Sequence, residues 1–143
     1  MSAPVAADVH IALRDGSTAR VRPVSPADTA ALRAFLGGLS ENSRWLRFFS
    51  LGVNLDKAAA MAAQGDRPEG YGLIVTTGAE ERVVAHAVFE VESADRAEVA
   101  FAVADEMQGR GLATVLIAHL AQVASARGVT TFKIGRASCR ERV

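Results

Sequence analysis

Asp105-Glu106-Met107-Gln108-Gly109-Arg110-Gly111-Leu112-Ala113 is the stretch that decides the fold. Before it, Ala97 to Ala104 is an apolar run of strand character. After it, Leu112, Leu116, Leu120 and Val123 recur at helical spacing up to Gly128, a glycine placed to end a helix. A strand therefore passes into a long helix through a loop holding two glycines and a small alanine. Such residues let backbone approach a ligand, and the first amides of a helix have no partners within it. The helix dipole adds about half a positive charge there, worth ~0.3 to 2 kcal/mol to a bound phosphate. Arg110 can supplement it, and the loop reads as an anion site.

Outward from the loop, Val129 to Phe132 begins a further strand, and strand, helix and strand in succession imply a right-handed crossover to a parallel neighbour. Upstream, Tyr71 to Thr76 and Val83 to Val91 are β-branched, apolar runs separated by the polar Thr77 to Glu81. Ser93-Ala94-Asp95-Arg96 turns the chain into the strand before the loop, so three antiparallel strands precede it. Leu55 to Gln64 is an alanine-rich short helix, ended by Gly65 to Gly70 with Pro68. Earlier still, His10 to Val24 alternates in polarity around Asp15-Gly16. That predicts a hairpin with a two-residue turn, both central residues at positive φ. Ser25-Pro26-Ala27-Asp28 carries helix-start signals, and Leu32, Phe35, Leu36 and Leu39 then give the helix one apolar face. Ser40 caps a second helix through Phe49, whose Trp45, Phe48 and Phe49 read as core packing and whose Arg44 and Arg47 lie on other faces.

The whole chain has 143 residues, half of them apolar and 22% charged, which suits one domain. Sixteen basic and sixteen acidic residues cancel, so no net field attracts nucleic acid or an anionic membrane. No apolar run approaches the roughly 20 residues that span a bilayer, and the N-terminus lacks a signal-peptide pattern. A soluble, cytoplasmic protein is the expectation. One cysteine excludes an internal disulfide, and His10, His86 and His119 have no companion cysteines at metal-ligand spacing, so no metal is expected. The last ten residues, Ile134 to Val143, follow no apolar, helix or strand period and resemble a translated sequencing adapter. The expectation is a domain over residues 1–133, truncated at its C-terminus, followed by a non-native tail over 134–143. A genuine basic tail is the alternative.

Three phosphate motifs compete for the loop. A Walker A loop needs a lysine that Gly109 to Thr114 lacks. A dinucleotide fingerprint needs a third glycine where Thr114 stands, and parallel strands before it. Gln/Arg-x-x-Gly-x-Gly/Ala fits at Gln108, Gly111 and Ala113, and is similar to the acyl-CoA loop of the GNAT-family N-acyltransferases. The element order over Thr18 to Phe132 matches that family, as does the opening Val21-Arg22-Pro23-Val24 with its capped helix. Leu39-Ser40 and Ser43-Arg44-Trp45-Leu46-Arg47-Phe48-Phe49 resemble the protein-lysine acetyltransferase branch often fused to acyl-CoA synthetase modules.

The resemblance implies an α/β GNAT fold, a mixed, mostly antiparallel sheet flanked by helices. It implies transfer of an acetyl group from acetyl-CoA to a primary amine, a protein lysine or a small-molecule amine. Gln108, Gly109, Arg110, Gly111, Leu112, Ala113 and Thr114 would hold the pyrophosphate, with the backbone of Ala102 and Val103 on the pantetheine arm and the thioester. Glu98 matches the family's glutamate base, sharing a strand face with Ala100 and Ala102. A solvated strand glutamate is the other reading of it, and Glu90 and Glu92 are weaker candidates. His86 reads as a packed residue. The helix that supplies the family's tyrosine acid would lie beyond Lys133, and the one tyrosine present is Tyr71, so a chain ending there is expected to be impaired. An unpaired edge at Val129 to Phe132 would favour self-association. A non-catalytic acyl-CoA-sensing domain is the rival from another functional class.

Overall fold

In a computed structural model the chain is described over residues 8–40, 54–134 and, as backbone, 140–142. Among the described residues seven strands form one sheet in chain order. They are β1 (Val9–Ala12), β2 (Thr18–Pro23), β3 (Gly70–Thr77), β4 (Arg82–Ser93), β5 (Arg96–Val103), β6 (Thr131–Ile134) and β7 (Arg140–Arg142). Helices α1 (Thr29–Gly37) and α2 (Leu55–Ala62) lie between β2 and β3, and α3 (Leu112–Ala126) between β5 and β6. Each neighbouring pair is antiparallel except β5 and β6, which α3 joins as a parallel pair.

The centre of the sheet is covered on both faces, since Val83–Ala87 are buried at every position, as are Gly70–Thr76. One face belongs to α3. Arg127, just past that helix, stacks over the rings of Tyr71 and Phe89 at 5.6 and 5.7 Å, and Phe89 lies 6.0 Å from Phe132. Leu116, Leu120 and Phe89 have no exposed surface, and burial of each such side chain stabilises by about 1.5–3 kcal/mol. The other face is met by α1, with α2 packed on it. Register and alternation put Glu98, Ala100 and Ala102 on this second face, opposite Glu90, Val88 and His86 of β4. His86 is fully buried there, as an apolar strand predicts.

Several boundaries depart from the sequence reading. The β1–β2 connection is a three-residue loop, with Leu13 N–H donating to Ser17 O at 2.7 Å and Gly16 N–H to Leu13 O at 2.9 Å. Within it Gly16 alone has positive φ. Asp15 keeps an ordinary conformation because its carboxylate accepts from Ser17 N–H at 3.0 Å and from Ser17 Oγ at 2.6 Å. β6 starts two residues later than predicted. Val129 N–H is taken by Ala124 O at the helix end, and Thr130 and Thr131 N–H by Asp95 O. The edge expected to be unpaired is covered, because β7 runs antiparallel to β6 with Thr131 opposite Arg142; the last ten residues thus contain a strand. The second helix predicted from Ser40 to Phe49 lies outside the described residues beyond Ser40.

Candidate active site

β5 ends at Val103 and the chain makes a 3-10 turn over Asp105–Met107. Met107 and Leu112 are both buried, so the loop is pinned to the core at two points five residues apart. Between them the backbone takes left-handed geometry twice, at Gly109 (φ 79) and Gly111 (φ 86). Only glycine enters that region without strain. A Cβ built on Gly109 would meet nothing within 4 Å, so the backbone faces open space. Gly111 is the N-cap of α3 and no side chain caps the helix. The first-turn amides of Leu112, Ala113 and Thr114 have no acceptor inside the helix. A glycine-lined opening beside an uncapped helix start fits an anionic phosphate.

Side chains brace the loop from two sides. Gln108 Nε2 donates to Val103 O at 3.2 Å and to Asp105 Oδ1 at 3.4 Å, so this residue ties the loop back to β5. From the β1–β2 hairpin, Arg14 Nη1 donates to Gly109 O at 3.5 Å. Arg110, read from sequence as a supplementary phosphate cation, pairs with Asp15 at the same hairpin tip. The Asp15 carboxyl is held below the ordinary range, first by the Ser17 hydroxyl, then by the Ser17 amide, with Arg110 adding attraction. Arg14 and Asp15 were missed in the sequence because no periodicity or motif links a turn to a loop 95 residues away.

β5 and β6 pair only from Arg96 opposite Thr131 to Val99 opposite Ile134. Ala100 to Val103 pair with β4 alone among the described residues, leaving the other edge of β5 open beside the loop. Ala102 and Val103 occupy this open segment. Glu98 lies four residues before Ala102, about 13 Å back along the strand at ~3.3 Å per residue. Its side chain is 43% exposed, and Lys133 Nζ on β6 lies 3.7 Å from Glu98 Oε2 and 3.5 Å from Glu92 Oε2. Glu90, the cross-strand neighbour of Glu98, is occupied by Arg67 at 2.5 Å. Tyr71 is on the α3 face, away from Glu98, and burial raises its phenol pKa first, with Asp66 adding to it. Its position supplies no acid to this site. Among the described residues no group of three or more His, Cys, Asp or Glu side chains could hold a metal ion.

Residues 40–141 match the Acetyltransferase (GNAT) family. The chain belongs to that family. Its fold is the GNAT fold: it superimposes on the GNAT domain of PAT from S. lividans with a TM-score of 0.79 and 34% identity, covering 93% of this chain and 80% of that one. It is 30% identical over 126 residues to acetyltransferase Pat of Mycolicibacterium smegmatis, spanning 87% of this chain and 38% of that protein's length. A cAMP-binding acyltransferase from Mycobacterium smegmatis aligns at a TM-score of 0.61 and 27% identity, over 92% of this chain and 38% of that one. The match to the GNAT family includes the whole of Gln108 to Thr114 and Glu98.

Proposed function

We propose that this GNAT domain transfers an acetyl group from acetyl-CoA to a primary amine, with a protein lysine as the acceptor. The observation that carries the reading is the loop. Two left-handed glycines and an uncapped helix start sit beside the open edge of β5, on a strand that also presents Glu98. Gln108, Gly109, Arg110, Gly111, Leu112, Ala113 and Thr114 would hold the pyrophosphate through backbone amides, with Gln108 keeping the loop on Val103. The backbone at Ala102 and Val103 would align the pantetheine arm, and the Val103 N–H, which the antiparallel register turns to the open edge of β5, would polarise the thioester oxygen.

An acceptor lysine at pH 7 is protonated, and freeing its lone pair costs roughly 3.4 pK units, or about 4.6 kcal/mol. Glu98 is the group placed to take that proton, being partly exposed on the face away from α3. Lysine as acceptor is supported by the resemblance of Leu39 to Phe49 to the protein-lysine branch and by the likeness to acetyltransferase Pat. The same resemblance favours work within a larger protein, an acyl-CoA synthetase module being the expected companion. A cytoplasmic setting, where acetyl-CoA is made and used, completes the proposal; no helix among the described residues is long and apolar enough to cross a membrane.

The test is steady-state kinetics with acetyl-CoA and a lysine peptide, read by mass spectrometry of the peptide. Glu98→Gln should lower kcat by about 10²- to 10⁴-fold with little change in the acetyl-CoA KM. CoA binding without transfer by the parent chain would replace the enzyme reading with that of an acyl-CoA sensor. Transfer to small amines but not to the peptide would move the acceptor class.

A further inference from the structure

The β1–β2 hairpin and the phosphate loop exchange cations across their contact. Arg110, the loop's own, is held by Asp15 of the hairpin, while the hairpin extends Arg14 over the loop. Arg14 Nη1 donates to Gly109 O at 3.5 Å, and Arg14 Nε lies 4.0 Å from where a Cβ on Gly111 would stand, so the guanidinium reaches both left-handed glycines. Both neighbours of Arg14 are fixed. Leu13 is buried in the core, and Asp15 is bonded to Ser17 and to Arg110. Arg14 itself is exposed and, among the described residues, makes no ion pair. Its hydrogen bond to Gly109 O is long and therefore weak, which leaves most of the guanidinium donors unengaged. An anchored turn thus presents an uncommitted cation to the opening where the backbone amides of the loop await an anion.

We propose that Arg14 is a binding residue for the acyl donor, its guanidinium engaging the pyrophosphate over Gly109 and Gly111; this rests on the reading of the loop as the acyl-CoA site given above. A guanidinium stays charged at any working pH, and its paired N–H groups match two oxygens of a phosphate. In the free chain that charge rests against the carbonyl of Gly109, a neutral partner that an anionic pyrophosphate outcompetes. The loop amides supply the fixed donors, and Arg14 supplies the charge that Arg110, engaged by Asp15, does not. The donor site is then assembled from two segments 95 residues apart, and its affinity depends on the hairpin as well as on the loop.

Calorimetric titration of the full chain with CoA and with dephospho-CoA, which keeps the pyrophosphate and lacks the 3′-phosphate, tests this without requiring turnover. Arg14→Gln should raise the Kd of both ligands by the same factor, about ten-fold, the scale of a charge-assisted contact. Arg14→Lys, which keeps the charge and loses the fork, should lose less. Transfer from acetyl-pantetheine, a donor with no phosphate, should be unchanged in Arg14→Gln, a readout that a merely structural brace on the loop would not spare. An unchanged Kd for CoA in Arg14→Gln overturns the proposal and leaves the loop reading standing. A loss seen with CoA and absent with dephospho-CoA overturns it too, by moving the contact to the 3′-phosphate, and so does an equal loss with acetyl-pantetheine. CoA binding without transfer by the parent chain removes the transferase reading alone, since the Kd ratios still decide Arg14. No CoA binding by the folded parent overturns both.

Discussion

Asp15 holds Arg110, tying the tip of the β1–β2 hairpin to the phosphate loop 95 residues further along the chain. The pair places a carboxylate beside the position proposed for a pyrophosphate and engages the loop's own cation. Asp15→Asn should remove that negative charge and release Arg110 towards the ligand. The acetyl-CoA KM is then expected to fall about two- to five-fold with kcat unchanged, the scale of an exposed ion pair. The gain should shrink as salt is raised, since screening acts over about 8 Å at 0.15 M and about 3 Å at 1 M. A higher KM would mean that the pair supports the loop rather than competing with the ligand.

Gly111→Ala asks whether the left-handed backbone at the helix start is needed. At φ 86 a Cβ is strained even though the nearest neighbour, Arg14 Nε, would be 4.0 Å away, and the conformation costs about 1–2 kcal/mol. Thermal unfolding should register that loss, and acetyl-CoA KM should rise if the loop relaxes to negative φ. Gly109→Ala, at φ 79 over open space, should behave alike because its cost is also conformational. Loss of stability with an unchanged KM would separate the glycines from ligand binding.

The Arg22–Asp28 pair gives the fold an acid-sensitive element far from the loop. Asp28 accepts from Arg22 Nη2 at 2.8 Å, from Arg22 Nη1 at 3.0 Å and from Ser25 N–H at 2.8 Å, with side-chain exposures of 21% for Arg22 and 10% for Asp28. The Arg22 hydrogen bonds, and then the Ser25 amide, hold its pKa below the ordinary value against the opposing effect of burial. A depressed carboxylate contributes stability above its unfolded pKa of about 3.9 and loses it as pH falls through the folded value. Acid unfolding below about pH 4 should therefore draw on this pair. Asp28→Asn should cost about 1–3 kcal/mol at pH 7 and flatten the pH dependence in that window. A variant with the parent's acid profile would remove Asp28 from the account.

The loop and the elements on either side of it were legible because their signals are local. Glycines, a helix period from Leu112 to Val123 and short apolar runs each say what their own segment does. Arg14, Asp15 and Lys133 were not legible as site residues, since their positions depend on pairings between distant segments. Lys133 faces Glu98 only once the register of the parallel pair is known. Even the hairpin, visible as an alternation, was misjudged in its turn, because the carboxylate of Asp15 takes the Ser17 amide and shapes a longer loop. The start of β6 was misjudged because Val129 N–H still closes the end of α3 on Ala124 O, and ladder pairing begins only at Thr131.

Hydrogen exchange on the full chain with and without CoA tests the central claim most directly, since it reads the backbone amides assigned to the ligand without requiring turnover. The amides from Gln108 to Thr114 should slow on adding CoA, together with that of Val103 on the open edge of β5, while α2 and the β3–β4 turn are unaffected. CoA binding that leaves Gln108 to Thr114 unprotected, or the absence of CoA binding by the folded chain, would contradict it.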